Sequence, residues 1–414
     1  MISDLIPRNE PLKRLLCHKD NDLVKIVTGI RRCGKSCLLD LFHAYLASHG
    51  IPEANIIHMN LESLKYRDIT DCIALYDYVK SKLPPTGRVY LIFDEIQSVV
   101  HWERALESFR LDMDCDIYIT GSNAYLLSSE LSTLLSGRYV EIKLLPLSFA
   151  EFIEFHDFSP DENIDRKFQK YLKFGGMPVL RSYGFDERNC SQALEGIYST
   201  VMMKDILLRS GQTDKNMLHR IMLFLCSNIG SIVSPNSIGN VLSCEGALSS
   251  GRGRSGLAGK TVARYLDMFR NAFIIYQVER YDVKGKQFLR TLGKNYIVDI
   301  GFRNVLLGYR DADRGHILEN IVFLELLRRG YRVYIGKVRD LEIDFVAERP
   351  DTKMYIQVSE SLLSSETRLR ELKPLQEIAD NYEKIILSMD RDFIQSYDGI
   401  KSLNIVDWLL SGDR

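Results

Sequence analysis

The segment Gly29-Ile30-Arg31-Arg32-Cys33-Gly34-Lys35-Ser36 constrains this chain more than any other. It matches Gly-x-x-x-x-Gly-Lys-Ser/Thr in full, a pattern whose meaning depends on its surroundings. Here both flanks fit. The apolar run at residues 23–28 reads as a buried strand, and Cys37-Leu38-Leu39-Asp40-Leu41-Phe42 opens a helix. The glycines let the backbone wrap until its N–H groups converge, and the helix N-terminus adds positive potential at the same point. Strand, turn and helix in this order make a phosphate-binding loop. The backbone of Gly29, Ile30, Arg31, Arg32, Cys33, Gly34 and Cys37 is expected to cradle the phosphates of a nucleotide. Lys35 is expected on the β- and γ-phosphates, and Ser36 on Mg²⁺.

Four further apolar runs follow, at residues 56–61, 89–93, 117–120 and 139–144, with helical stretches between them. Five buried strands alternating with helices predict an α/β domain, a parallel sheet covered on both faces, over residues 1–147. The run Val89-Tyr90-Leu91-Ile92-Phe93 ends in Asp94-Glu95. Such a strand delivers Asp94 to the Mg²⁺ shell, and Glu95 suits the general base that polarises the attacking water. Capping of the next helix by these acids is the plainer alternative. Ile117-Tyr118-Ile119-Thr120-Gly121-Ser122-Asn123 reaches the same sheet edge. There Ser122 or Asn123 could touch the γ-phosphate or the water, or could simply cap a helix. Arg138 in Ser136-Gly137-Arg138 precedes the fifth run. It is either an arginine finger acting across a subunit contact or an ordinary surface arginine.

At 414 residues the chain has room for two to four domains. With 54 basic and 55 acidic residues its net charge of -1 excludes a polybasic protein, though not local basic patches. None of the eight cysteines forms a C-x-x-C pair, and no H-E-x-x-H occurs, so neither structural zinc nor thioredoxin chemistry is expected. The opening residues lack the apolar core of a signal peptide, and no run of about 18 apolar residues exists. The expectation is a cytoplasmic chain with reduced thiols and no membrane partner.

Residues 148–212 read as helical and lid-like, interrupted by a sharp turn at Phe174-Gly175-Gly176-Met177-Pro178. Residues 213–305 change character: a helix near 216–228, a helix start at Ser234-Pro235, a Gly/Ser-rich interruption at 245–259, a helix at 260–271 and two strand-like runs. The last part, 306–414, offers a helix through Leu327 and several short strands around a helix at 368–380.

Taken together, these residues resemble the AAA-type P-loop ATPases, and more closely a widespread prokaryotic family of such ATPases with a distinctive C-terminal domain. The resemblance rests on the phosphate loop, Phe93-Asp94-Glu95-Ile96-Gln97, Thr120-Gly121-Ser122 and Ser136-Gly137-Arg138-Tyr139. It continues through Pro146-Leu147-Ser148-Phe149, Phe174-Gly175-Gly176-Met177-Pro178 and Tyr281-Asp282-Val283-Lys284-Gly285, and so covers nearly the whole chain. It implies binding and hydrolysis of ATP by the residues matched above, and it names no substrate or pathway. In AAA proteins a polar residue at the end of the second strand can restrain the catalytic Glu, and Asn60 stands at that position.

The helix, helix and hairpin order of residues 213–305 resembles a winged helix, with Lys260-Thr261-Val262-Ala263-Arg264-Tyr265-Leu266 as the recognition-type helix. Arg252, Arg254, Lys260 and Arg264 form a basic cluster that could neutralise DNA phosphates, while winged helices also serve as packing or protein-binding modules. The C-terminal part resembles the restriction-endonuclease-like fold. Active members hold a divalent metal with two acids and use a lysine two residues after the last of them. Here Glu319 and Asp344 occupy the first acidic positions, Gln357 is neutral, and Ser359 stands where the lysine would be. The expectation is an inactive nuclease fold serving recognition or structure, within a regulatory ATPase that engages a protein partner or further copies of itself. A DNA-processing ATPase with nuclease activity is the alternative.

Overall fold

The computed structural model describes every residue except 1–4, 125–136, 209–213, 251–257, 286, 311–312, 392–393 and 413–414, and omits the side chains of 245–250 and 287–292. Two compact units emerge: residues 1–146 with 271–273, and residues 147–270 with 274–414.

The first unit contains α1 (Asn9–Leu16), β1 (Val24–Thr28), α2 (Lys35–Ser48), β2 (Ile56–Asn60), α3 (Cys72–Lys82), β3 (Val89–Asp94), α4 (Trp102–Asp112), β4 (Cys115–Gly121) and β5 (Tyr139–Lys143). The five strands are parallel, in the order β2-β3-β4-β1-β5. β1 and β3 are buried at every position. Strands covered by helices on both faces read as continuous apolar runs, which is why the sequence betrays them. β5 departs from the expected five buried strands. It lies at the sheet edge with only Ile142 buried. The core packs Ile26, Leu91, Phe93, Ile117 and Ile119 against Leu75 and Val79 of α3 and Trp102, Leu106 and Phe109 of α4. Asp71 starts α3 by accepting from the N–H groups of Ile73 and Ala74, both at 2.9 Å.

A buried polar contact ties two of these strands together. Lys25 of β1 and Asp116 of β4 form a fully buried ion pair. The Tyr118 hydroxyl and the Asp20 N–H also donate to Asp116, at 2.7 and 2.9 Å. Burial pushes the Lys25 ammonium below its usual pKa, but Asp116 opposes the shift. A pair of this kind adds little net stability, yet either member alone is costly to bury, so β1 and β4 are held as neighbours.

The second unit begins with helices at Phe149–Phe155, Ile164–Phe174 and Glu187–Thr200, a π-helical segment at Val201–Leu207 and a helix at Lys215–Ser227. Ser148 and Glu151 close a capping box on the first of these. The Phe174–Pro178 turn is held from two sides. The Gly176 N–H donates to Asp299 Oδ2 at 2.7 Å, and the Leu147 N–H donates to the Gly176 carbonyl at 2.8 Å. Gly175 has a φ of 78°, and a Cβ there would lie 2.0 Å from Asp299 Oδ1, so glycine is required.

Beyond it come β6 (Ile232–Val233), helices at Pro235–Ser250 and Gly259–Asn271, β7 (Ile275–Asp282), β8 (Gln287–Ile297), and helices at Ile300–Leu307 and Arg314–Arg328. The helix from Pro235 runs five residues past the point where the Gly/Ser-rich composition suggests a break. β9 (Arg332–Val338), β10 (Leu341–Arg349), β11 (Thr352–Val358), a helix at Ser365–Gln376, β12 (Glu383–Ser388), β13 (Ser396–Tyr397), β14 (Ile400–Asn404) and a helix at Ile405–Leu410 complete the unit. All nine strands join one sheet, ordered β13-β14-β12-β11-β10-β9-β7-β8-β6. β7 pairs in parallel with β9, placing Arg280 beside Ile335 and Asp282 beside Lys337. The position between residues 305 and 306, expected as a boundary, thus falls between strands of a single sheet. No helix among the described residues is long and apolar enough to cross a membrane.

Candidate functional site

The parallel register brings the strand ends of the first unit into line. Asn60 pairs with Asp94 across β2 and β3, Phe93 with Ile119 across β3 and β4, and Thr28 with Gly121 across β1 and β4. The turn leaving β1 therefore meets Asp94, Glu95 and Thr120 at one edge, as ligand sites in open parallel sheets do.

Gly29 approaches the start of the segment after β5 so closely that a Cβ would lie 2.2 Å from the Leu144 carbonyl oxygen. Gly34 adopts a φ of 103° and turns the chain into α2. The first ladder bond of that helix runs from the Leu38 N–H to the Gly34 carbonyl, at 2.9 Å. The N–H groups just before it, on Lys35, Ser36 and Cys37, lie in the helical turn that lacks intrahelical acceptors and suits an anion. Lys35, 5% exposed, donates to the carbonyls of Gly29 at 3.0 Å and Ile30 at 3.2 Å, and its Nζ lies 4.0 Å from Glu95 Oε1. Two features absent from the sequence expectation brace the turn. Arg8, nearly buried, donates to the Cys33 carbonyl and to the Leu145 carbonyl, both at 3.1 Å. The Cys33 thiol donates to the Leu144 carbonyl at 3.4 Å, and burial pushes its pKa up, so it serves as a filler and not as a nucleophile.

Asp94 is 1% exposed, and each of its oxygens is engaged. Oδ1 accepts from the Thr120 hydroxyl, and Oδ2 accepts from Asn60 Nδ2 at 3.1 Å. Asn60 therefore restrains Asp94. The expectation that it reaches Glu95 is corrected by the register, which sets it directly opposite Asp94. Glu95 is 7% exposed and sits in the left-handed region, with φ 54° and ψ 50°. Its N–H donates to the Thr120 hydroxyl oxygen at 2.9 Å, and its Oε2 accepts from Gln97 Nε2. Thr120 thus links both acids, a role that only the neighbouring strand reveals. Ser122 and Asn123 are buried just past β4.

The arrangement fits a nucleoside triphosphate with a divalent cation. A compact cation, a helix N-terminus and a wrapped glycine turn meet two fixed carboxylates, while Ser36 lies in the first turn of the helix, where a metal ligand is needed. Arg138 lies elsewhere. It is exposed, and its carbonyl accepts from the Val24 N–H at 3.0 Å, at the end of β1 opposite the glycine turn.

In the second unit, Glu319 and Asp344 do come together, and Lys294 of β8 lies between them. Its Nζ is 2.7 Å from Glu319 Oε1, 2.8 Å from Glu342 Oε1 and 3.4 Å from Asp344 Oδ1. The Tyr296 hydroxyl also donates to Glu319, at 2.6 Å. Burial alone would lower the Lys294 pKa, but the three acids outweigh it and raise it. Gln357 accepts from the Asp344 N–H and donates to Glu371, while Lys353 pairs with Glu348 at 2.9 Å. Among the described residues no group of three or more His, Cys, Asp or Glu is arranged to hold a metal ion. Lys260 and Arg264 are exposed on the Gly259–Asn271 helix, whereas Arg252 and Arg254 lie outside the described residues.

Comparison with known proteins agrees with this geometry. Residues 21–153 match the model of an AAA domain, AAA_14, and residues 165–313 match a domain of unknown function, DUF8612. An uncharacterised protein of Haemophilus influenzae is 39% identical over 412 residues, covering 99% of this chain and 100% of that protein. One from Methanocaldococcus jannaschii is 27% identical, over 89% of this chain and 80% of the relative. Among solved structures, the Walker-type ATPase PABY2304 of Pyrococcus abyssi has the same fold with a TM-score of 0.52. Its identity is 16%, over 74% of this chain and 99% of that one. The chain belongs to one family with the Haemophilus influenzae protein, and its first unit is an AAA-type P-loop domain.

Proposed function

We propose that this protein binds ATP with Mg²⁺ at the Gly29–Cys37 turn, hydrolyses it, and uses its nucleotide state to control how residues 147–414 engage a partner. The observation that carries this reading is Lys35, held on the carbonyls of its own turn 4.0 Å from Glu95. It is a cation parked beside the base and ready to move to phosphate. In this reading Ser36 and Asp94 hold the Mg²⁺, which when bound offsets charge on the phosphate oxygens. Asn60 and Thr120 keep Asp94 in place for that task. Glu95 takes a proton from the attacking water, Ser122 stands at the γ-phosphate end, and Arg138 serves a neighbouring copy. The partner of the second unit is a protein or a further copy of the chain, with DNA at Lys260 and Arg264 a weaker candidate. Cleavage of nucleic acid has less support, because Lys294 already stands among Glu319, Glu342 and Asp344, paired with all three, where a metal ion would have to sit.

Nucleotide titration and turnover test the reading. Lys35→Ala is expected to abolish tight ATP binding. Glu95→Gln should bind as well as wild type but turn over at least about 100-fold more slowly, since it removes only the base. Equal turnover by Glu95→Gln and wild type would sink it.

A further inference from the structure

Gln97 lies two residues beyond Glu95, in the short turn Ile96–Ser98. Its backbone is pinned on both sides by Ile96 and Val99, which are 0% and 1% exposed. Its amide is tied to the carboxylate of Glu95, since Nε2 donates to Oε2. An ionised carboxylate only accepts, so the amide nitrogen must be the atom that faces it. The amide oxygen is then turned away from the carboxylate. That oxygen, Oε1, is buried and has no hydrogen-bond partner among the described residues. A buried acceptor without a donor is costly, and in native proteins such atoms mark places where a water or ligand belongs. In an amide the two heteroatoms are roughly 2.3 Å apart, so the open acceptor stands within one water's reach of the Glu95 carboxylate.

We infer that Gln97 shares the hydrolytic step with Glu95: its amide nitrogen fixes the carboxylate and its amide oxygen receives one hydrogen of the attacking water. This inference rests on the reading of Glu95 as the base. Glu95 holds two contacts in the resting site, Lys35 near Oε1 and Gln97 on Oε2. When Lys35 moves to the phosphates, Oε1 is released while Oε2 stays tied. The water then presents one hydrogen to Gln97 Oε1 and the other to Glu95. Its oxygen forms a bond to the γ-phosphorus as the bond from that phosphorus to the β,γ-bridging oxygen breaks. The bridging oxygen keeps the electron pair and leaves with ADP, and Glu95 carries the proton. The left-handed backbone of Glu95, unusual for a residue with a side chain, supports such a role, because it aims the carboxylate back along the turn that carries Gln97.

The test measures ATP binding and turnover of the full chain for wild type, Glu95→Gln, Gln97→Ala, Gln97→Asn and Gln97→Glu. Gln97→Ala should keep its ATP dissociation constant within about twofold and lose about 10- to 100-fold in kcat, part of what a well-placed base contributes. Gln97→Glu keeps the shape but loses the donor and sets a like charge beside Glu95, so it should fall at least as far as Gln97→Ala. Gln97→Asn, with the same chemistry on a shorter arm, should lie between. A role in packing alone predicts instead that the isosteric Gln97→Glu stays active, and that outcome overturns the inference. So does a rise in turnover for Gln97→Ala, which would mean that Gln97 restrains Glu95. An inert wild type, or an undiminished Glu95→Gln, would overturn the underlying reading. Loss in Glu95→Gln with full activity in the Gln97 variants would overturn this inference alone.

Discussion

Gly29 shows how little tolerance the glycine turn has at the level of single atoms. With a Cβ at 2.2 Å from the Leu144 carbonyl oxygen, an alanine forces either the turn or the segment after β5 to move. Gly29→Ala should therefore retain the helical signal of the chain but lose the rise in melting temperature that saturating ATP gives the wild type, a shift that thermal unfolding with and without nucleotide measures. Where the glycines, Lys35, Ser36, Asp94 and Glu95 lie in the fold was legible in the sequence, because spacing along one strand and one turn determines where they go. Arg8 and Thr120 were not. Each acts on atoms more than twenty residues away, and only the packed sheet brings them there. Asn60 shows the limit from the other direction, since its position was legible but its partner depended on register. Lys294 was hidden for a related reason. The nuclease pattern puts its lysine on the strand of Gln357, whereas the cation here arrives from β8.

Strands and turns were legible where they carry their own pattern. All five strands of the first unit announced themselves as apolar runs, but nothing in the run at 139–144 told that β5 would lie at the sheet edge with only Ile142 buried. The Phe174–Pro178 turn was visible from its two glycines and its proline, but its anchor was not, because Asp299 lies far along the chain. That anchor makes the second unit sensitive to pH. Burial pushes the Asp299 carboxyl up to about 7, although two backbone N–H groups favour its ionised form. An unfolded aspartate ionises near 3.9. Between these values the folded chain keeps a proton that the unfolded chain has released, so the contribution of Asp299 to stability is greatest below about pH 4 and falls as pH rises towards 7. At about 1.4 kcal/mol per pH unit, the loss is of order 4 kcal/mol at most. Asp299→Asn should be less stable at low pH, having lost an acceptor, yet show a flatter decline between pH 4 and 7 in denaturant midpoints. A decline as steep as that of wild type would remove Asp299 from this account.

Across the whole molecule, Arg138 poses the question of assembly. β1 has five residues between the Val24 N–H that holds Arg138 and the glycine turn, about 16 Å of strand. A residue at that edge is poorly placed for the nucleotide of its own chain, and in the proposed reading it serves a neighbour's. Arg138→Ala alone should lower turnover by about 10³-fold, as loss of an arginine finger does. Mixing it with Glu95→Gln should restore activity, because one copy supplies the arginine and the other the base. No restoration in a demonstrated mixed oligomer would leave Arg138 without a role in trans. The nine-stranded sheet, finally, governs what can be inherited separately. Severing the chain after residue 305 would strip β9 of β7, leaving a bare edge open to aggregation. It would also strand Glu319, Glu342 and Asp344 without the ammonium with which all three pair. A recombination event that exchanges the last hundred residues for those of a relative must therefore bring the hairpin with them, so the two regions descend as a single heritable block.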